Sequence, residues 1–278
     1  MAEWRRHEHH GEANLLKPVA LTIAGSDPSG GAGVQADLKT FHQFGVYGEA
    51  VIALLTVQNT QAVTKVEIMP ASLVIAQLRA VVDDIPPHAA KTGALGDAAV
   101  IEAVAAEAAH FSFPLVVDPV MISKHGAALI SDRARDVVRK RLLPVAFLVT
   151  PNLHEAEALT GRELTSVEAM RDAARQLVDL GAKAALVKGG HLVGDAIDVL
   201  FDGHDFHEYP AKRIDTPHTH GTGCTYSSAI TAGLALGNSL SEAVRTAKAF
   251  ITNAIATNPG LGSGNGPVNH HAQVEKDT

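Results

Sequence analysis

The sequence predicts an α/β protein in which helices cover both faces of a mainly parallel sheet. Short apolar runs alternate with stretches of helical spacing along most of the chain, as in strands joined by crossover helices. Hydrophobic residues make up 46% of the 278 residues but aromatic ones only 4%, which is typical of small aliphatic side chains packed on a buried sheet. No linker or internal repeat divides the pattern, so we expect one domain over residues 18–271 between a disordered N-terminal tail (1–17) and a C-terminal tail (272–278).

The elements follow one another with clear boundaries. The apolar run Val19–Ala24 predicts a first strand, the glycine-rich segment Gly25–Gly33 a loop, and the spacing of Val34–Phe44 a helix that stops at Gly45. Further predicted strands are Ala50–Val57, Ala89–Thr92, Leu115–Val117, Ala146–Val149, Ala184–Val187, and a hairpin of Ala196–Phe201 with Asp205–Tyr209. Further predicted helices are Ala71–Val82, Ala98–Ala109, Asp132–Leu143, Asn152–Leu159, Val167–Leu180 and one that begins after His220-Gly221.

Charge and cysteine usage exclude several classes of protein. The net charge is −7 without a sustained basic stretch, which argues against binding to nucleic acid or to an anionic membrane. No apolar run reaches the roughly 18 residues that a membrane span needs. A single cysteine fits a reducing compartment, so we expect a cytoplasmic protein. The tail histidines His7, His9 and His10 are compatible with metal capture, although a disordered tail explains them as well.

Polar and glycine-rich segments follow the predicted strands and should therefore meet at one edge of the sheet. In a parallel sheet with right-handed crossovers, the carboxyl ends of the strands line a common cleft. The segments are Gly25–Gly33, Gln58–Gln61, Asp118–Met121, Thr150–Glu155 and Lys188–His191.

The most informative of the candidate sites is His220-Gly221-Thr222-Gly223-Cys224-Thr225, at the start of the last predicted helix. A helix that begins after a glycine turn directs unpaired N–H groups and partial positive charge at one point. Such a point can hold a phosphate or the charge that develops in phosphoryl transfer. The alternative is an ordinary turn with Cys224 as a small buried residue. A Walker A loop is absent from the sequence.

Three other features have both a functional and a structural explanation. Asn152 and Glu155, three residues apart, could hold a hydrated Mg²⁺, but the same pair forms a helix capping box. Lys188 follows a strand and could reach a polyphosphate, or could simply be solvated. The segment Met121–Ile130 could close over the cleft or be an inert surface loop. The first glycine loop is either a structural turn or a ligand contact. As a ligand contact it favours a substrate over a phosphate, because the carboxylate of Asp27 would repel a phosphate.

The chain resembles the hydroxymethylpyrimidine/phosphomethylpyrimidine kinases of thiamine biosynthesis, within the ribokinase-like superfamily. The matching segments are Ala20–Gly33, Gln35–Lys39, Gln58–Thr60, Val117–Met121, Thr150–Asn152, Lys188–His191, Thr219–Thr225 and Gly266–His270. They keep the family's order and cover about residues 18 to 271, so the set is specific although no single segment is.

This resemblance implies a ribokinase-like fold and ATP- and Mg²⁺-dependent phosphorylation of 4-amino-5-hydroxymethyl-2-methylpyrimidine, and then of its monophosphate to the pyrophosphate. It also implies a homodimer. The implied pyrimidine pocket consists of Gly25, Asp27, Ala32 and Gln58. The implied ATP side consists of Asn152, Lys188 and Thr219, with Glu155 and Asp118 at the metal. The implied anion hole consists of Gly221, Thr222 and Gly223.

Cys224 matches the position of the aspartate base in related sugar kinases. At a helix start its thiol should have a lowered pKa, so that it could accept the proton of the substrate hydroxyl; alternatively it only shapes the pocket. The sequence departs from the family at Ala94, His218 and Ser263, where methionine, asparagine and histidine are common. Two other functions stay open: a pyridoxal kinase, and a sensor that binds a pyrimidine or nucleotide without catalysis.

Overall fold

The computed structural model describes residues 17–121, 131–190 and 194–274. Within these ranges nine strands form one sheet in the order β3-β2-β1-β4-β5-β6-β7-β8-β9. The strands are β1 (Val19–Ser26), β2 (Tyr47–Gln58), β3 (Val63–Ile68), β4 (Ala89–Thr92), β5 (Leu115–Val117), β6 (Leu148–Val149), β7 (Ala185–Val187), β8 (Asp198–Phe201) and β9 (Phe206–Tyr209). The predicted tail 1–17, apart from Lys17, lies outside the described residues, as do the loop 122–130 and His191.

Six neighbouring strands, β2, β1, β4, β5, β6 and β7, run parallel, whereas β3, β8 and β9 pair antiparallel at the two sides. This confirms the prediction of a mainly parallel sheet. The chain passes from β1 to β2 on one side and later enters β4 on the other side of β1. The strand order therefore reverses beside β1, and open α/β sheets bind ligands at the carboxyl end of such a switch point.

Helices cover both faces of the sheet. They are α1 (Gly33–Gln43), α2 (Ala71–Val82), α3 (Ala98–Ala108), α4 (Asp132–Val137), α5 (Leu153–Thr160), α6 (Val167–Asp179), α7 (Thr222–Ala235) and α8 (Leu240–Ala256). The main core lies between the sheet and α2 to α6, and a second one lies under α7 and α8 on the opposite face. Helix α1 packs beside α7 through Phe41. No helix in the described ranges combines the length and apolarity needed to cross a membrane.

Most predicted boundaries agree with the structure within one to three residues. The predicted helix Asp132–Leu143 is the main departure: after α4 the chain continues as a π-helical turn, Val138–Leu142, and a 3₁₀ turn, Leu143–Val145. Pro144 has no N–H to continue an α-helix, so the tighter turn ends the segment.

Candidate active site

A cavity of about 1020 Å³ opens at the carboxyl edge of the sheet. Loops after β1, β2, β5, β6 and β7 and the start of α7 line it, as the alternation of strands and helices predicts. Every candidate site residue faces this cavity: Gly25, Asp27, Ala32, Gln58, Asp118, Asn152, Glu155, Lys188, Thr219, Gly221, Thr222, Gly223 and Cys224. The structure thus brings the whole set together, and the role of each residue stays a prediction.

The start of α7 has the form of an anion-binding nest. Gly221 precedes the helix in the left-handed region, with φ 78°, and among the described residues no side chain caps the helix. A Cβ at Gly221 would lie 1.8 Å from the carbonyl oxygen of Gly31. Only glycine fits this position, because two glycine loops touch there with their backbones. The N–H groups of the first turn, at Thr222 and Gly223, are the kind of donors that bind phosphate oxygens.

The thiol of Cys224 lies in this nest, but the expectation of a lowered pKa is wrong. Burial raises the pKa of the Cys224 thiol to about 12, and the charge of Lys91 and the backbone N–H of Gly33 only partly offset it. The carboxylates of Asp37 and Asp118 also oppose a thiolate. Desolvation therefore outweighs the helix start, and the half-buried cysteine keeps its proton at neutral pH.

Asn152 and Glu155 form the capping box at the start of α5. The Asn152 side chain accepts the Glu155 N–H at 2.9 Å, and the Glu155 carboxylate accepts the Asn152 N–H at 2.8 Å. The structural explanation of their spacing is thus confirmed. A ligand role is still compatible with it, since Glu155 is a buried carboxylate that faces the cavity. Burial raises the pKa of Glu155 to about 7 in spite of the attraction of Lys188.

Lys188 and Asp118 form an ion pair at the floor of the cavity. The Lys188 ammonium lies 3.1 Å from Asp118 Oδ1, and Ser227 on α7 donates to Asp118 Oδ2 at 3.2 Å. Burial lowers the pKa of Lys188, but Asp118 and Glu155 outweigh it, so the pKa is raised and the lysine stays charged. A backbone bridge places Lys188 beside Asn152. This cationic side chain is suited to polyphosphate.

The carboxylates fit a Mg²⁺ ion that is shared with a nucleotide. Asp118 and Glu155 are close enough for each to act on the charge of Lys188, and both offer the hard oxygen ligands that Mg²⁺ prefers. Among the described residues no group of three or more potential ligands could form a metal cage from protein alone. Phosphate oxygens and water would complete the coordination, which is the usual arrangement for Mg²⁺ at nucleotide sites.

Asp27 organises the first glycine loop. Its carboxylate is 1% exposed and accepts hydrogen bonds from Ser29, from the backbone of Gly31 and Ala32, and from His220 at 2.8 Å. Burial raises the pKa of Asp27, but the hydrogen bonds from His220 and Ser29 outweigh it and hold the pKa below its usual value. Because its oxygens are already occupied, Asp27 shapes the loop in this structure.

The remaining candidate residues border the same space. Gln58 ends β2, half-buried, with its side chain at the cavity. Gly25 leaves room for Leu54, which a Cβ would approach to 2.5 Å. The carbonyl of Thr219 accepts the hydroxyl of Thr222 at 2.8 Å, so the residues just before α7 brace its first turn.

Sequence reasoning missed two buried ion pairs near the site. Lys91 in β4 contacts Asp37 of α1 at 2.7 Å, and Lys248 of α8 contacts Asp198 of β8 at 2.7 Å. A signal was available for the first pair, since Lys91 stands inside a short strand and Asp37 three residues after the apolar Val34.

The fold and the site define a phosphotransferase that acts on a small molecule. A family model described as phosphomethylpyrimidine kinase matches residues 27–269. A hydroxymethylpyrimidine/phosphomethylpyrimidine kinase of Streptomyces coelicolor is 49% identical over 256 residues, which cover 92% of this chain and 95% of that protein. A thiamine biosynthesis bifunctional protein of Geobacter sulfurreducens is 51% identical over 257 residues; the alignment covers 92% of this chain but only 52%, about half, of that relative. The chain belongs to the phosphomethylpyrimidine kinase family, which confirms the resemblance seen in the sequence.

Solved structures agree in fold. The ADP complex of a Bacillus subtilis pyridoxal kinase superimposes with a TM-score of 0.85 at 40% identity, covering 92% of this chain and 98% of that one. A phosphomethylpyrimidine kinase from Clostridium difficile superimposes with a TM-score of 0.77 at 44% identity, covering 86% of this chain and 100% of that one. The fold is therefore ribokinase-like, as expected.

Proposed function

We propose that this chain transfers the γ-phosphoryl group of ATP to the hydroxyl of 4-amino-5-hydroxymethyl-2-methylpyrimidine, and then a second phosphoryl group to the resulting monophosphate. The observation that carries the proposal is the convergence, in one cavity, of the nest at the start of α7 with the cluster of Lys188, Asp118 and Glu155. Phosphoryl transfer requires mainly such positioning and charge stabilisation. The name of the similar Streptomyces coelicolor protein and the description of the matching family support the same substrate.

Each side of the cavity has a proposed task. The first glycine loop, with Gly25, Asp27 and Ala32, holds the pyrimidine, and the amide of Gln58 donates to a ring nitrogen and accepts from the exocyclic amine. Asn152, Lys188 and Thr219 hold ATP. Asp118 and Glu155 would hold Mg²⁺, which neutralises phosphate charge when it is bound.

The start of α7 stabilises the phosphoryl group during its transfer. The N–H groups of Thr222 and Gly223, after the turn at Gly221, face the charge that grows on the transferred phosphoryl group. Cys224 adjoins the attacking oxygen. With a pKa of about 12 the free thiol is almost wholly protonated, so a role as base requires that bound substrates stabilise the thiolate.

The variants Cys224→Ala and Cys224→Asp separate the two roles of this residue. A general base typically contributes about 100-fold or more to the rate, so Cys224→Ala should lower kcat by that factor if the thiol accepts the proton. Cys224→Asp, which offers an ionised carboxylate, should then keep more activity than Cys224→Ala. Near-normal turnover of Cys224→Ala would leave Cys224 the role of shaping the pocket only.

An ADP-release assay with the hydroxymethylpyrimidine, its monophosphate and pyridoxal in parallel tests the substrate. We expect turnover of both pyrimidines and formation of the pyrophosphate. A clear preference for pyridoxal would favour the alternative that the similarity to the Bacillus subtilis pyridoxal kinase raises. Binding in isothermal titration without ADP formation would favour a non-catalytic sensor.

We further propose that residues 18–271 act as one cytoplasmic kinase domain that forms a homodimer. Exposed apolar side chains at this edge of the sheet, Leu55 and Val57 on one face of β2 and Val66 and Ile68 on the other face of β3, support pairing of two chains here. Analytical ultracentrifugation tests the dimer: a monomer at micromolar concentration contradicts it. The net charge of −7 supports small molecules, and not nucleic acid or membranes, as partners.

A further inference from the structure

A fully buried ion pair lies directly behind the start of α7. The ammonium of Lys91, on β4, is 2.7 Å from Asp37 Oδ1, on α1, and both side chains are 0% exposed. Burial lowers the pKa of Lys91, but Asp37, Cys224 and Asp118 outweigh it, so the pKa is raised and the lysine is charged. The roles proposed above use neither residue.

The other contacts of this pair lead to the first turn of α7. Lys91 donates to the carbonyl oxygen of Cys224 at 3.4 Å and to the hydroxyl of Ser228 at 3.2 Å. Ser228 in turn donates to Asp37 Oδ1 at 2.6 Å, and Thr22 of β1 donates to Asp37 Oδ2 at 2.6 Å. The network therefore ties two central strands and α1 to the helix start that carries the nest.

A contribution to the stability of the fold does not by itself explain why a buried ion pair is present here. Removing two charges from water costs so much that well-packed neutral residues often replace a buried ion pair without loss of stability. The position of the pair suggests another reason. Lys91 is the cation whose charge most favours a thiolate at Cys224, whereas Asp37 and Asp118 oppose it. Lys188 supplies positive charge from the cavity side.

We propose that Lys91 is a positioning residue of the phosphoryl-transfer site. Its buried ammonium fixes the first turn of α7 and holds positive charge behind the point where the transferred group gains negative charge. Asp37 holds Lys91 in place and keeps it charged. This inference rests on the proposed function, because it assigns the pair a task in that same reaction.

The decisive variant is the double substitution Lys91→Met with Asp37→Asn. Lys91→Met alone leaves Asp37 buried without its partner and can prevent folding, whereas the double variant leaves no unpaired charge. We expect the double variant to fold with a melting temperature close to that of the wild type. Its kcat should fall by about tenfold or more, since preorganised charge acts on the transition state, while the KM values for ATP and pyrimidine stay nearly unchanged.

The alkylation rate of the Cys224 thiol distinguishes an effect of charge from a merely structural role, because the two predict opposite changes in that rate. Cys224 is the only cysteine of the chain, so iodoacetamide incorporation at a fixed alkaline pH reports on it alone. The rate follows the thiolate fraction. Loss of the Lys91 charge should slow alkylation in the double variant, because the Lys91 ammonium lies 3.4 Å from the Cys224 carbonyl oxygen and favours the thiolate. Asp37, which opposes the thiolate, contacts Lys91, Ser228 and Thr22 instead. Loosening of the helix start would expose the thiol and speed alkylation.

The matched control removes an ion pair from the surface. Arg79 and Glu107 form a pair between α2 and α3, on the opposite face of the sheet. Arg79→Met with Glu107→Gln should leave both kcat and the alkylation rate at wild-type values. The same change in both double variants would trace the effect to charge removal in general and overturn the inference.

Three further outcomes would overturn it. They are a double variant with wild-type kcat, one whose thiol reacts faster than in the wild type, and one that does not fold, because the last would make the pair a structural requirement. Failure of the proposed function looks different: the wild type itself would form no ADP with either pyrimidine. In that case the alkylation rates of the variants would still show whether Lys91 supplies positive charge at the thiol.

Discussion

Gly221→Ala should disable the enzyme, whereas Gly223→Ala, two residues away, should leave the fold intact. At Gly221 the backbone is left-handed, with φ 78°, and the added Cβ would lie 1.8 Å from the carbonyl oxygen of Gly31. At Gly223 the nearest atom to an added Cβ is Lys188 Nζ at 3.4 Å, which is an ordinary contact. The two substitutions therefore add the same methyl group to the same nest with opposite structural consequences.

The size of the effect follows from these distances. A left-handed alanine costs about 1–2 kcal/mol. Ordinary contact begins at about 3.5 Å, so the loops that carry Gly31 and Gly221 must also separate by roughly 1.7 Å. A displacement of about 1 Å in a catalytic site can cost 100-fold in rate. We therefore expect Gly221→Ala to lose about 100-fold or more in kcat, together with a lower melting temperature.

Gly223→Ala is the control. Alanine within a helix is about 1 kcal/mol more favourable than glycine, so its melting temperature should equal or exceed that of the wild type. Its methyl group would face Lys188 and Asp118 in the cavity, and we expect a higher KM for ATP. ADP release and thermal melting of both variants measure these effects. A Gly221→Ala variant with the turnover and melting temperature of the wild type would refute the argument that contact between the two loops determines the geometry of the nest.

Two further predictions concern buried carboxylates. Asp27→Asn should raise the KM for the pyrimidine more than that for ATP and lower the melting temperature, because an amide cannot accept all five hydrogen bonds that the carboxylate accepts, one of them from His220. Unchanged KM values in steady-state assays would contradict this. Burial, and secondly the charge of Asp84, raise the pKa of Glu49 to about 7 from its usual 4.5, and neither carboxylate oxygen has a partner among the described residues. Because the folded pKa exceeds the unfolded one, the carboxylate destabilises the fold increasingly from pH 4.5 to pH 7 and fully above that. Glu49→Met should therefore gain about 3 kcal/mol more in free energy of unfolding at pH 8 than at pH 4, measured by denaturant titration; an equal gain at both pH values would contradict the assigned shift.

The sequence was sufficient for the parallel strands and for the edge at which the site lies, because burial on both faces leaves continuous apolar runs and predictable crossovers. Two elements escaped it for different reasons. Strand β3 lies at the edge of the sheet and is mostly exposed, so it carries little hydrophobic pattern. Helix α8 did carry signals, a capping box of Ser239 and Glu242 followed by buried residues at helical spacing.

Within the site, the sequence predicts which residues share the cavity but not what surrounds each atom. The pKa of Cys224 shows the difference. A helix start alone predicts a lowered value, yet the net effect depends on burial and on Lys91, Asp37 and Asp118, which come from distant parts of the chain. Likewise, the hydrogen bond from His220 to Asp27 joins residues 193 positions apart, so the sequence alone does not predict it. The residue types determine which groups are available at the site, whereas tertiary contacts determine whether the pKa of each group rises or falls.

The two glycine loops behave as one structural unit, which explains why glycine stands at so many positions of this edge. Gly31 touches Gly221, and a Cβ at Gly33 would lie 2.2 Å from the carbonyl oxygen of Gly25. The bond between Asp27 and His220 joins the same loops through side chains. The loop proposed to hold the pyrimidine is thus in contact with the nest proposed to hold the phosphoryl group. Hence a change in either loop should alter the distance between acceptor and donor, and substrate selectivity and turnover should respond together.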